Sequence, residues 1–221
     1  MGNGQTVSVQ DESTIIALMM PMYYIPDNTV TFADIDFLRD IWQRIMTNNT
    51  YPYQRLRRTV TESDSCLSWF YSVFFNRLFA IYPTCKSIFD ENEQYRAKFL
   101  LRLVTTSLMI PEHNPQYTTA LRDLTTDLSS KGFRPYELGV LGDVLFYALE
   151  CICGEGYTAT VDFCWKKVFS HLLLKAVPLC LENEKKTSNA KRSHVTLQNT
   201  PLASSDSAGD SSKSKLSNKE E

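Results

Sequence analysis

The sequence has no apolar run long enough to cross a bilayer: its longest stretches, such as residues 15–20, fall far short of the about 20 residues that a spanning helix needs. It also lacks blocks of like charge. The net charge of -2 and pI near 6.0 come from both signs scattered through the chain, and no basic stripe interleaved with aromatics points to nucleic acid. A charged start followed by a long apolar stretch is missing, so the expectation is a cytosolic protein. There is no G-x-x-x-x-G-K-[S/T] phosphate loop, no H-E-x-x-H metal pair, and no Ser/His/Asp order or paired carboxylates in a shared cleft pattern. An enzyme is therefore not expected. Histidine is scarce, with none between His113 and His171.

What is present begins with six cysteines, which without a secretory signal read as reduced core thiols. Cys151 and Cys153 are two apart on an expected helix and so point to different faces, which prevents a joint grip on a metal. The 221 residues suffice for one domain of roughly 150 residues plus tails. The opening MGNGQT fits M-G-x-x-x-[S/T], with Gly2 as the acceptor for myristate once Met1 is removed. One myristoyl chain holds a membrane only reversibly, and no nearby cysteine or basic cluster offers a second signal. Residues 1–30 are read as a flexible extension carrying this lipidation site.

From Thr31 the apolar spacing turns helical. Ile35, Leu38, Ile41, Trp42 and Ile45 share a face, and Thr31 with Asp34 resembles a capping box. Residues 48–61, polar and basic with Arg55, Arg57 and Arg58, are read as a solvated loop, within which Asn48 and Thr50 spell a glycosylation sequon that a cytosolic protein would not use. A helix over 65–81 places Leu67, Phe70, Phe74, Leu78 and Ile81 inward and stops at Pro83. Further helices are expected over 93–109, 116–128, 136–153 and 158–181, with Gly132 a left-handed stop, Pro135 in a first helical turn, and Gly142 a point of close approach. From Glu182 the composition turns to Ser, Thr, Asn, Lys and Glu, too poor in large apolar residues to offset the entropy of ordering, so 182–221 is read as a disordered tail. Its Lys185, Lys186, Lys191 and Arg192 are read as solvated.

These elements imply an all-α bundle of six to eight helices over 31–181. The finer spacing resembles a globin. Trp42, then Phe79-x-x-x-Pro83 with Phe89 beyond it, Leu124, Gly132-x-x-Pro135, Gly142 and Trp165 fall in globin order. The haem-holding pattern L-x-x-x-H-x-x-x-G-V-x-P is met at Leu124, Gly132, Phe133 and Pro135, but Leu128 stands where the iron-binding histidine belongs. By this resemblance Phe89 would stack on a porphyrin and Phe75 would lie over the ligand. The distal position falls on Arg96 when counted back from Leu128 and on Phe99 when counted forward from Phe89, and Leu100 adjoins them. Phe75, Phe89, Arg96, Phe99, Leu100 and Leu128 are thus the expected pocket.

Iron in globins is held by a histidine, and leucine has no lone pair to offer. Tyr117, Met109 and Cys85 belong to ligating residue types, yet the spacing aims none of them at the site. The expectation is a haem-less or haem-impaired member of the globin family, with no cofactor and no metal, serving as a regulatory, sensor or interaction module on the cytosolic face of a membrane. The alternatives are a haem protein for oxygen, another gas or redox sensing with a non-histidine ligand, and a carrier of apolar ligands such as lipid.

Overall fold

A computed structural model of the chain describes residues 9–59, 65–89, 92–109 and 115–198. Those residues form nine α-helices, with three short 3-10 turns. Two units are distinguished, residues 1–186 and 187–221. In the second, residues 187–198 are helical. No described helix is long and apolar enough to cross a membrane. The all-α bundle expected from the apolar spacing is the observed fold class, and the helices with no counterpart among the six expected helical stretches are α1 (Val9–Leu18), α3 (Tyr51–Thr59) and the single-turn α5 (Lys86–Phe89).

Helix α2 (Phe32–Met46) starts as its sequence dictates. Thr31 Oγ1 accepts from the Asp34 amide at 3.2 Å and Asp34 Oδ2 accepts from the Thr31 amide at 2.8 Å, so the capping box satisfies two otherwise orphaned donors. Its buried stripe is the one expected, Ile35, Leu38, Ile41, Trp42 and Ile45. Asn48, with φ 58°, then reverses the chain, and its side-chain oxygen accepts from the Cys66 amide at 2.7 Å at the start of α4 (Cys66–Ile81). Of the expected 48–61 loop, residues 51–59 are helical rather than a solvated loop, and 60–61 lie outside the described residues. The helix is α3, which Pro52 suits in the first turn and which buries Tyr53 to 2% exposure. Only Gly154, which has φ 54° and whose Cβ would lie 2.6 Å from Pro52 Cγ, leaves room for α3 at the end of α8.

Helix α4 buries Phe70, Phe74, Phe75 and Leu78, while Ile81 is 43% exposed and Leu67 half-buried, so the inward stripe is rotated toward Phe75 from the expected one. A 3-10 turn from Pro83 leads into α5. Asn92 caps α6 (Glu93–Ser107) by accepting from the Gln94 and Tyr95 amides. Helix α7 (Pro115–Ser130) ends in a Schellman motif: the Phe133 amide donates to Leu128 O at 3.0 Å and the Gly132 amide to Ser129 O at 3.1 Å, with Gly132 at φ 87°. Pro135 opens the turn into α8 (Leu138–Cys153), which is buried on most of its circumference and packs along α4.

Two expected extensions need correction. The described part of the stretch before Thr31 packs on the bundle: Tyr23 donates to Gly139 O at 2.9 Å, its ring meets Phe146 and Phe169 edge-on at 4.9 and 6.3 Å, and the Ile25 amide donates to Ser170 Oγ at 3.0 Å. Gly142 does allow the expected close approach, of Phe169 on α9 and of Tyr23, whose hydroxyl lies where a Cβ would be. At the other end, α9 (Ala159–Gln198) buries Val161, Trp165, Val168, Leu172 and Ala176 as expected, but it remains helical past residue 181. Its polar continuation gains i,i+4 support such as Lys186 to Glu182 at 2.8 Å, which a count of apolar residues does not register.

Candidate functional site

The expected pocket is built from four helices. Phe75 comes from α4, Phe89 from the end of α5, Arg96, Phe99 and Leu100 from α6, and Leu128 from the last turn of α7. The structure brings the aromatic members together as packed core. Phe89 is fully buried, and its ring lies 4.8 Å from Phe99, 5.7 Å from Phe75 and 6.4 Å from Phe133. These offset and edge-on contacts are the favourable geometries for aromatic pairs. Leu128 is 1% exposed.

Arg96 and Phe99, the two candidates for the distal position, take separate roles. Phe99 turns into the aromatic cluster. The Arg96 guanidinium lies over the rings of Tyr71 and Phe75, at 5.8 and 5.7 Å from their centroids, and its Nε is buried without a hydrogen-bond partner among the described residues. Burial pushes the Tyr71 hydroxyl above its ordinary pKa, against the nearby Arg96 charge and with that of Glu93. Leu100 faces differently again. It lines an open apolar groove of about 250 Å³ between α4 and α6, together with Leu67, Tyr71, Ala97 and Leu101.

Polar residues with no periodic signature in the sequence flank the cluster. Tyr95 on α6 donates to Asp127 Oδ2 on α7 at 3.0 Å, one residue before Leu128. Arg102 and Lys131 approach the same carboxylate at 3.7 and 3.2 Å, and the Lys131 ammonium also lies 4.0 Å from the Tyr95 ring centroid. The partly exposed ion pairs are each worth at most about 1 kcal/mol, and with the Tyr95 hydrogen bond they tie α6 to α7. On the next connection, the buried Glu137 accepts from the Tyr82 hydroxyl and from the Arg134 amide, the latter at 2.6 Å. Both pairs join residues far apart in the chain, so only a polar residue type, and no spacing, announces them.

The residues present do not fit a haem. Leu128, where the resemblance expects the iron ligand, is a buried aliphatic side chain with no lone pair to offer, and Phe89 packs against the Phe99 and Phe133 rings rather than facing open space. Tyr117 lies three helical turns before Leu128, about 16 Å along α7, and its buried hydroxyl has no hydrogen-bond partner among the described residues. The Cys85 thiol contacts Tyr82 O at 2.8 Å, and burial pushes its pKa up to about 11. No group of three or more His, Cys, Asp or Glu among the described residues stands close enough to hold a metal ion. All six cysteines are free, and five are buried. Gly2 and the lipidation pattern lie outside the described residues. No known family model matches the chain, and no curated protein matches it, so the functional reading rests on this geometry.

Proposed function

We propose that this chain is a globin-fold protein whose haem site is filled by its own side chains. It serves as a regulatory or interaction module held at a membrane by a myristoyl group on Gly2, without a catalytic step of its own. The observation that carries the reading is the aromatic cluster around Phe89, beside a proximal position taken by Leu128. In its support, the elements occur in globin order, with the Schellman stop at Gly132 and the Pro135 turn keeping the bend that would present a ligand to iron. Native mass spectrometry of the protein expressed with an ample haem supply tests it. The expected species is the bare polypeptide, acylated where a myristoyltransferase is co-expressed. A stoichiometric haem adduct would overturn the proposal.

The α4/α6 groove favours a second reading, a carrier of apolar ligands. Its walls are Leu67, Leu100, Leu101 and the Tyr71 ring, and its volume of about 250 Å³ suits a short acyl segment rather than a drug-sized ligand. Titration of delipidated protein with a fluorescent acyl probe separates the two readings. Saturable binding that Leu100→Gln abolishes would favour the carrier.

A further inference from the structure

The folded N-terminal segment interleaves apolar residues packed on the core with apolar residues directed away from it. Ile16, Met19, Met20 and Tyr23 pack on the core, whereas Ile15 is 41% exposed, Leu18 81% and Met22 103%. The turn that presents them is fixed in place. Its amides bond locally, Met19 to Ile16 O at 3.1 Å, Met20 to Ala17 O at 3.3 Å and Tyr24 to Pro21 O at 3.0 Å. Pro21 sits against Gly139, and Tyr23 is anchored on α8 by its hydrogen bond to the Gly139 carbonyl. Leu18 and Met22 are therefore held out by a rigid support.

Charge identifies what could cover them. Residues 13–26 carry no charged side chain, and the first lysine or arginine of the chain is Arg39, preceded only by acidic residues. Neither nucleic acid nor an acidic peptide suits such a surface, and three aliphatic side chains fall well short of the about 1,200 Å² that a stable protein interface buries. The eight residues before α1, outside the described structure, end at Val9 and carry Gly2. Fully extended, the seven steps from Gly2 to Val9 reach at most about 25 Å. An acyl chain on Gly2 and this turn can thus enter the same bilayer.

We infer that the turn bearing Leu18 and Met22, with Ile15, inserts into the apolar boundary of a lipid bilayer and is the second membrane signal that a single acyl chain requires. Its pairing with myristate rests on the Gly2 reading above; insertion of the turn does not. Because the contact is apolar and residues 13–26 carry no charge, binding is insensitive to salt and shows no preference for anionic lipid, unlike a polybasic anchor.

The test is sedimentation of the full chain with phosphatidylcholine vesicles, comparing wild type with the Leu18→Ser/Met22→Ser double variant. Each protein is measured acylated by co-expression with a myristoyltransferase, and also unacylated but held by a terminal hexahistidine tag on vesicles doped with nickel-chelating lipid. Both substitutions are at exposed positions, so circular dichroism and urea midpoints stay unchanged. The expected result is a partition coefficient at least about tenfold lower in the double variant on both vesicle types, from the loss of two inserted aliphatic chains. Partition should stay unchanged as sodium chloride is raised. Equal partition of the two proteins on the chelating vesicles overturns the inference, as does a wild-type dimer in sedimentation equilibrium that the double variant abolishes. If intact mass reveals no acyl group, the Gly2 reading fails while the chelating-vesicle comparison still decides on the turn.

Discussion

Replacing Phe89 by alanine probes the filled site at its centre. The ring is fully buried and contacts Phe75, Phe99, Tyr95 and Phe133 at centroid distances of 5.7, 4.8, 6.1 and 6.4 Å. A buried Phe→Ala change costs about 3–5 kcal/mol, the larger values arising where neighbours cannot collapse into the space. Four ring contacts, each worth about 0.5–1.5 kcal/mol beyond area burial, place this site toward the upper end. With a urea slope of about 2 kcal/mol per molar, the unfolding midpoint should fall by roughly 2 M at unchanged slope. The melting temperature should fall by roughly 10–15 °C for a domain of this size. The new cavity is lined by aromatic and aliphatic side chains, so it should stay dry and accept benzene, which would restore part of the lost stability in the variant and leave wild type unmoved. A loss below about 1 kcal/mol, or stabilisation of wild type by benzene, would refute the packing argument. Either result would mean that Phe89 faces space a ligand or solvent already occupies.

Other substitutions report on the supports of the site. Gly142→Ala should cost about 1–3 kcal/mol in urea unfolding, because the new Cβ would fall 2.8 Å from Phe169 Cδ1 and closer still to the Tyr23 ring; a Tyr23→Ala background should absorb much of that loss, so the double variant loses less than the sum. Gly132→Ala meets no neighbour within 4 Å and should cost only the left-handed backbone strain, about 1–2 kcal/mol. Burial pushes the Asp34 carboxyl up, but hydrogen bonds from Lys167 at 2.8 Å and from Thr31 outweigh it and hold its pKa below the ordinary value. Its contribution is therefore full above the unfolded pKa of about 3.9 and lost as pH falls through the lower folded value. The stability gap between wild type and Asp34→Asn should be constant from neutral pH to about pH 5 and close at more acidic pH, as urea midpoints across that range would register.

Much of the bundle was legible because its helices carry long apolar stripes. α2, α8 and α9 matched their expected inward residues, since i,i+3 and i,i+4 repetition over many turns leaves little freedom in which face is buried. α3 escaped because it is short and arginine-rich and is held mainly by the single buried Tyr53. The docked N-terminal segment escaped because its anchor is one tyrosine fitted to two glycines more than a hundred residues away. Of the residues that the resemblance groups as a pocket, Phe75, Phe89 and Phe99 pack against one another, Arg96 lies over the Tyr71 and Phe75 rings, and Leu100 lines the α4/α6 groove. The Tyr95–Asp127 and Tyr82–Glu137 pairs were illegible, because a polar contact between distant elements leaves no periodic trace.

The proposal that side chains fill a haem site is tested most directly by titrating haem into the purified wild-type chain beside the Leu128→His variant, following the Soret band. The packing around Phe89 predicts that neither protein develops a sharp, saturable band at one equivalent, because restoring a ligand atom does not make room for the macrocycle. A stoichiometric b-type spectrum from the wild-type chain would contradict it.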